Sequence, residues 1–226
     1  MIVTVLLIPS TYFTKASAQG GHEGHMAHGD HGDHADHGGH QALSDDEIKK
    51  RMMKWIPGAD AKIGSTIDGN LSFINQDGKK VKLKEFFDRP VFVAFIFTSC
   101  PHICPTINQN MAAAAKEARK KYGDKFRLLT ISFDTIRDDI KGIKAYSQNF
   151  TTEPKFWTFG LAEKESVDKL TAAFGFSFLP SEQDIWSHIT MVTVVDKGGV
   201  ITKQIYGTKV DSQEFSDALG AMLGKK

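Results

Sequence analysis

Residues 91–106 read VFVAFIFTSCPHICPT and join an apolar run to a short motif that holds both cysteines of the chain. The run 91–97 has the length of a strand and no polar residue, which is typical of a central strand buried on both faces. The alanine-rich segment 105–122 follows, with Pro105 at the favoured first helical position and Gly123 beyond its end. A buried strand, a cysteine-containing turn and a helix are therefore predicted in direct succession.

Strand and helix patterns alternate through the rest of the C-terminal part. Strands are predicted at 126–133, 155–160, 190–196 and 199–207, and helices at 138–150, 163–174 and 211–223. Ahead of them, residues 71–83 read as a hairpin around Asp77-Gly78. This order predicts an α/β protein with a thioredoxin-like fold, in which helices flank a mixed central sheet and a hairpin is added at the N-terminal side.

The N-terminal part divides into segments of different composition. Residues 1–18 combine an apolar run with the small-residue pattern Ala16-Ser17-Ala18, which predicts a secretory signal peptide or an uncleaved anchor. Residues 19–41 are predicted to be a disordered His-rich tail, 42–58 a short helix with a linker, and 59–226 the thioredoxin-like domain. We expect a periplasmic or exported protein, either soluble after cleavage or tethered to the inner membrane.

Histidine occupies every third position of the tail, separated mostly by Gly, Ala and Asp. Such a composition cannot bury a core, whereas imidazoles bind Cu(II), Zn and Ni. An auxiliary metal-binding role is therefore predicted for copper, with Zn or Ni as further candidates; an expression tag or a solubilising linker is the alternative. The histidines are His22, His25, His28, His31, His34, His37 and His40.

The charge balance argues against one class of partner. The chain has 28 basic and 27 acidic residues, for a formal net charge of +1. A protein that binds nucleic acid through its phosphates is usually much more basic, so no nucleic-acid partner is expected.

Cys100 and Cys104 have three residues between them, so a disulfide would close only a very small loop. Such a loop constrains the unfolded chain little, which argues against a purely structural staple. Cys104 is predicted at the helix N-cap, outside the helix, where backbone N–H groups and the helix dipole stabilise a thiolate. Low-pKa thiolates are both nucleophiles and soft-metal ligands, so the local pattern fits a redox couple and a copper site equally well.

A third ligand would separate these two interpretations, and only His102 and His188 lie outside the tail. His102 lies between the cysteines and is predicted at the surface, without an assigned role. His188 immediately precedes a predicted buried strand, in a loop expected to run beside the cysteine loop. A lone histidine there is ordinarily structural, but the cysteine pair and the His-rich tail favour a ligand.

Residues 60–224 resemble the SCO/SenC family of copper-binding thioredoxin-like proteins. The resemblance rests on TSCPHICP, on the histidine before TMVTVVD and on ISFDTIRDD. It implies that Cys100, Cys104 and His188 hold copper as Cu(I) or Cu(II), that Asp134 supports the site, and that a Cys100–Cys104 disulfide would abolish binding.

The implied function is a copper chaperone that delivers copper to the dinuclear copper site of cytochrome c oxidase, or that reduces the cysteines of that site. The implied partner is the copper-site subunit of the oxidase, with other periplasmic copper chaperones or thiol reductants as further partners.

Two other functions remain open from the residues alone. The cysteine pair also fits a thiol–disulfide oxidoreductase without obligatory copper, and the tail fits a periplasmic metal buffer. A thiol peroxidase fits less well, because Thr98 stands two residues before Cys100, whereas the peroxiredoxin pattern places threonine three residues before.

Overall fold

The computed structural model describes residues 62–180 and 186–224. The predicted leader, His-rich tail and helix at 42–58 lie outside these residues. The strands are β1 Ser72–Asn75, β2 Lys80–Lys82, β3 Val91–Ile96, β4 Arg127–Ser132, β5 Trp157–Ala162, β6 Phe178–Pro180, β7 Trp186–His188, β8 Met191–Val195 and β9 Ile201–Tyr206. The α-helices are α1 Ile103–Tyr122, α2 Ile140–Ser147, α3 Val167–Ala173 and α4 Ser212–Leu223, and a short 3-10 helix covers Leu83–Phe86.

Seven strands form one mixed sheet in the order β2-β1-β5-β4-β3-β8-β9. Strands β3, β4 and β5 are parallel, whereas β8 and β9 on one side and β1 and β2 on the other are antiparallel to their neighbours. The carboxyl ends of β3 and β4 therefore meet at one edge of the sheet, where ligands of open α/β sheets gather.

Strand β3 is buried along its whole length, as predicted. Because successive side chains of a strand point to opposite faces, Phe92 and Phe95 contact different layers. The Phe92 ring stacks on Phe215 of α4 with centroids 3.6 Å apart, and α4 packs against α1. The Phe95 ring packs against Phe174 and Phe176, which follow α3. The two faces of β3 are thus both covered, and the predicted thioredoxin-like α/β fold is confirmed.

The predicted N-terminal hairpin is confirmed and extends the sheet. Strands β1 and β2 pair with Phe73 opposite Val81, and Gly78 takes the positive φ of +76° that the tight turn requires. Strand β1 then pairs with β5, whose Gly160 lies against the Phe73 ring. A Cβ atom on Gly160 would stand 2.3 Å from that ring, so the residue's small size allows the hairpin to dock.

Helix α1 starts earlier than the sequence predicts. It begins at Ile103 with His102 at the N-cap, so Cys104 is the second helical residue and Pro105 the third. Proline fits within the first turn, because N–H groups there lack an acceptor inside the helix. The N–H of Cys104 instead donates to the Cys100 Sγ at 3.3 Å. The prediction that Cys104 is the N-cap and lies outside the helix was therefore wrong.

A second, two-stranded sheet was not predicted. Strands β6 and β7 pair antiparallel, with Phe178 opposite His188, and this ribbon comes before β8 in the chain. Among the described residues, no helix is both long and apolar enough to cross a membrane.

Candidate metal centre

Cys100 and Cys104 lie at the carboxyl end of β3, where the chain turns into α1. The N–H of Cys100 donates to the Phe97 carbonyl at 3.3 Å, which closes the turn after the strand. Both side chains are buried, with 7% and 1% of their surface exposed, and both are unpaired thiols. The pair lies at the predicted strand-to-helix turn, with Cys100 between the two elements and Cys104 in the first turn of the helix.

The two sulfur atoms have different environments. The Cys104 thiol donates to the Cys100 sulfur, and backbone N–H groups of Cys104, His102 and Ile103 also face it. These contacts outweigh burial and lower the pKa of Cys100 to about 5. The same thiol–thiolate bond, together with burial, raises the pKa of Cys104 far above its ordinary value. Cys100 is therefore the thiolate at neutral pH, and the prediction that the helix terminus ionises Cys104 was wrong.

His188 lies near this pair on the ribbon strand β7. Its ring packs against Phe97 and Phe133, which follow β3 and β4, with centroids 5.7 and 5.5 Å away. The Nδ1 atom lies 2.8 Å from the Ile189 carbonyl oxygen, so Nδ1 carries the proton and donates it. In the neutral ring, Nε2 is then unprotonated and carries a free lone pair. This is the tautomer that a histidine needs in order to bind a metal through Nε2.

Burial lowers the pKa of His188, against smaller opposing effects from the Ile189 hydrogen bond and the Cys100 charge. The imidazole is thus neutral at physiological pH and lies within electrostatic reach of the thiolate. Across residues 62–180 and 186–224, no three His, Cys, Asp or Glu side chains form a ready metal cluster. The structure therefore brings the two cysteines together and leaves His188 beside them.

Asp134, the predicted supporting residue, is buried in the turn after β4. Its Oδ1 accepts the N–H groups of Ile136 and Arg137 at 3.3 and 3.2 Å, and its Oδ2 pairs with the Arg137 Nε at 2.5 Å. The guanidinium of Arg137 in turn lies over the Phe97 ring, 5.6 Å from its centroid. Asp134 thus shapes one wall of the site through Arg137.

The donor set suits a soft or borderline metal, since two sulfur atoms and one imidazole are the ligands that copper prefers in proteins. A family model described as SCO1/SenC matches residues 59–224. The chain belongs to the SCO1/SenC family.

Individual relatives of this SCO1/SenC protein are distant in sequence. The SCO1 protein homolog of Bacillus subtilis is 26% identical over 151 residues, which are 66% of this chain and 77% of the relative. The crystal structure of Arabidopsis thaliana ScoI with copper bound aligns with 73% of this chain and 99% of its own, at a TM-score of 0.62 and 22% identity. The structure of BsSco, a member of the Sco family of cytochrome c oxidase assembly proteins with an identified disulfide switch, aligns with 73% of this chain and 98% of its own. Its TM-score is 0.61 and its sequence identity 22%. At these identities the two structures establish the shared fold.

Three side chains to which the sequence assigned no role in the site fix the cysteine loop of this SCO1/SenC protein; we call Thr98, Ser132 and Asp138 the clamp. Asp138 lies just before α2, and its Oδ2 accepts the Thr98 N–H at 2.9 Å and the Ser132 hydroxyl at 2.5 Å. Its Oδ1 accepts the Thr98 hydroxyl at 2.5 Å. Thr98 and Asp138 are forty positions apart in sequence, so no local pattern could have linked them. The available signal was that all three lie within TSCPHICP or ISFDTIRDD, the motifs of the family resemblance.

A second polar chain lies behind α1. Thr130 of β4 receives the Trp157 indole N–H at 3.0 Å and donates to Asn108 of α1, whose amide donates to the Tyr146 hydroxyl at 3.2 Å. Burial, with the nearby Cys100 and Asp138 charges, raises the pKa of Tyr146. The phenol therefore stays protonated, and this series of hydrogen bonds holds the helix that carries Cys104 against the sheet. The side chains in this series of hydrogen bonds are Thr130, Trp157, Asn108 and Tyr146.

His102 is exposed, in agreement with its predicted surface position. Its carbonyl accepts the Thr106 hydroxyl at 2.7 Å, and its N–H faces the Cys100 sulfur. Its backbone thus helps to begin the helix and to stabilise the thiolate. Nearby Ile103 is 45% exposed, so the outer side of the cysteine loop is open to solvent.

Proposed function

We propose that this chain is a copper chaperone of cytochrome c oxidase assembly, which binds copper through Cys100, Cys104 and His188 and delivers it to the dinuclear copper site of the oxidase. One observation carries the proposal: a buried, reduced thiol pair with one ionised sulfur stands beside a neutral histidine whose Nε2 is unprotonated. Membership of the SCO1/SenC family supports it, as do the copper-bound Sco structures among the fold's neighbours.

Each ligand has a distinct part in this proposal. The Cys100 thiolate binds first because it needs to lose no proton, and Cys104 follows by releasing the proton it shares with Cys100. Two thiolates suit Cu(I), and the His188 imidazole adds the nitrogen ligand that Cu(II) requires. His188 would have to approach the pair to complete the site, from its position against the Phe97 ring, which follows β3.

The N-terminal segments fit the same proposal. We propose that the leader directs the chain to the periplasm, and that the His-rich tail collects copper and raises its concentration near the cysteine site. The copper-site subunit of the oxidase would be the final acceptor. The structural neighbour BsSco is described as a member of the Sco family of cytochrome c oxidase assembly proteins, which supports this partner.

Copper titration of reduced protein tests the metal site. A variant with all seven tail histidines changed to alanine is expected to bind one copper and to show thiolate-to-copper charge-transfer absorption, whereas the wild-type chain binds more. In that background, His188→Ala should weaken Cu(II) binding by more than the roughly 10- to 100-fold that loss of an outer-shell partner costs.

His102→Ala is the matched control, because His102 is an exposed histidine between the two cysteines and its replacement should leave affinity unchanged. Equal Cu(II) affinity in His188→Ala and His102→Ala would exclude the three-ligand site.

The unequal thiols also favour a second function, a thiol–disulfide reductase that keeps the oxidase cysteines reduced. A nucleophilic Cys100 with a protonated Cys104 next to it is the arrangement that attacks a disulfide and then resolves the mixed disulfide. Turnover of a disulfide substrate by metal-free protein, with no copper binding by the reduced tail-substituted chain, would establish the reductase in place of the chaperone.

A further inference from the structure

The clamp is a built, buried feature at the edge of the site. The Asp138 carboxylate is 9% exposed and receives three hydrogen bonds, two from Thr98 and one from Ser132. Two of the three are 2.5 Å long, at the short end of the range for hydroxyl groups that donate to a carboxylate. Hydrogen bonds to a buried charge are among the stronger polar contacts in proteins, so this carboxylate holds its partners firmly.

The three clamp residues come from three separate segments that meet at the carboxyl edge of the sheet. Thr98 stands two residues before Cys100, Ser132 ends β4, and Asp138 immediately precedes the N-cap residue of α2. The other hydrogen bonds on this side of the turn are longer: Cys100 N–H to the Phe97 carbonyl and Cys104 N–H to the Cys100 sulfur both measure 3.3 Å. The shortest contacts of the turn before Cys100 are therefore those with Asp138.

We propose that Asp138 is a positioning residue that holds the cysteine loop in its open dithiol conformation through Thr98. The clamp fixes the backbone from which Cys100 projects, and so keeps its sulfur under the N–H groups of the first turn of α1. This inference deepens the proposed function and rests on it only where copper is concerned, because the positioning of the thiols is a property of the metal-free protein.

Oxidation of the pair gives the reaction in which positioning can be measured. Cys100 and Cys104 form an S–S bond and pass two electrons and their one shared proton to a disulfide such as oxidised dithiothreitol, which takes its second proton from water and becomes the dithiol. If the clamp favours the open conformation, its loss favours the disulfide and makes the reduction potential more negative. A purely structural role would lower stability without moving the potential.

The test uses full-length metal-free protein and compares Thr98→Val with Thr98→Ser. Valine keeps the shape but removes the hydroxyl donor to Asp138, whereas serine restores it. The expected result for Thr98→Val is about a tenfold shift of the thiol–disulfide equilibrium toward the disulfide, ~30 mV for a two-electron couple. Thr98→Ser should restore the wild-type potential. The rate at which iodoacetamide alkylates Cys100 at one fixed pH should differ from wild type in Thr98→Val. It should return to the wild-type value in Thr98→Ser.

Thr158→Val is the matched control, because the Thr158 hydroxyl donates to the Pro154 carbonyl at 2.9 Å near the start of β5. It should leave the potential unchanged. Ser132→Ala is a second route to the same question, since it releases Asp138 from β4 without altering the cysteine loop directly, and a smaller shift of the same sign is expected.

An unchanged potential in both Thr98→Val and Ser132→Ala would overturn the proposal, whatever happens to thermal stability. A shift in these variants with no copper binding by the wild type would support the clamp and reject the chaperone. Normal copper binding by the wild type, with an unchanged reduction potential in both variants, would support the chaperone and reject the clamp.

Discussion

Cys100 and Cys104 share one proton unequally because the local backbone treats their sulfur atoms differently. The first-turn N–H groups of α1 and the Cys104 thiol all face the Cys100 sulfur, whereas Cys104 is more deeply buried and next to that negative charge. The spacing of three residues produces this arrangement, since it places Cys104 inside the first turn and Cys100 just outside it. The Cys100 sulfur can therefore react or bind as a thiolate, while the Cys104 sulfur stays protonated.

This asymmetry predicts the pH dependence of thiol labelling in reduced, metal-free protein. Iodoacetamide should modify Cys100 in preference to Cys104, with a rate that reaches half its maximum near pH 5, where the pKa of Cys100 lies. Cys104→Ala removes the largest contribution to the lowered pKa and should move the midpoint to a clearly higher pH. Mass spectrometry of quenched samples gives both rates. Preferential labelling of Cys104 would contradict the assignment of the thiolate.

At the scale of secondary-structure elements, the hairpin β1–β2 is attached to the sheet through a glycine. Gly160 of β5 pairs with Asn75 of β1 and lies under the Phe73 ring, with the Ile74 carbonyl oxygen 2.8 Å from where a Cβ would stand. These two obstacles differ, because the Phe73 ring can rotate, whereas the Ile74 backbone is held by the hydrogen bonds between the strands. The hairpin can therefore dock only where β5 has no side chain.

Gly160→Ala should lower the free energy of unfolding by ~1–3 kcal/mol, the usual cost of forcing an extra methyl group into a packed core. Gly142→Ala is the control: its new Cβ meets only the Asp139 carboxylate at 3.2 Å, and alanine is the better helix former inside α2. Urea denaturation followed by tryptophan fluorescence measures both variants. Equal stability of Gly160→Ala and wild type would show that the hairpin moves away at no cost.

The elements that the sequence predicts correctly are those with long apolar runs or definite turn residues. The run at 91–97 and the Asp77-Gly78 turn became β3 and the first hairpin, because burial and a positive φ leave few alternatives. Ribbon strands β6 and β7 have only three residues each, so they have too little periodicity to be recognised. The start of α1 was misplaced because its first N–H groups bond to a sulfur atom, for which capping rules make no provision.

On the scale of the whole molecule, the titrating groups of the site link folding to pH. The folded pKa values of Cys100 and His188 are both lowered, so the unfolded chain binds more protons and stability rises with pH through the range from about 5 to about 9. The raised pKa of Cys104 acts oppositely above its ordinary pKa, where the unfolded chain loses a proton that the folded chain keeps. Reduced protein should therefore be most stable near the top of this range.

Denaturation of reduced wild type and Cys100→Ser at pH 5.5 and pH 8 checks this prediction. The free energy of unfolding should increase more between the two pH values in wild type, because the serine variant lacks the ionising sulfur and retains every carboxylate and histidine. A parallel increase in both proteins would show that Cys100 contributes nothing to the linkage.

The positions of the candidate site residues in the fold were predicted from the sequence better than their chemical states were. The strand-to-helix turn placed Cys100 and Cys104, and the strand that follows placed His188, since chain order largely determines which loops meet at a sheet edge. Which sulfur ionises depends on the direction of individual N–H bonds, and the partner of Thr98 depends on a contact across forty residues. Neither quantity has a local sequence pattern.

The ribbon β6–β7 has a consequence for how the site could change its coordination number. His188 belongs to a two-stranded unit that is not part of the seven-stranded sheet, whereas both cysteines stand where β3 of that sheet joins α1. Within the described residues, the sulfur pair and the imidazole are therefore carried by two separate hydrogen-bonded ladders. Under the proposed function, an approach of the His188 nitrogen to copper would move the ribbon and not the sheet that carries the cysteines, so a change between two- and three-coordinate copper would not break the hydrogen bonds of the central sheet.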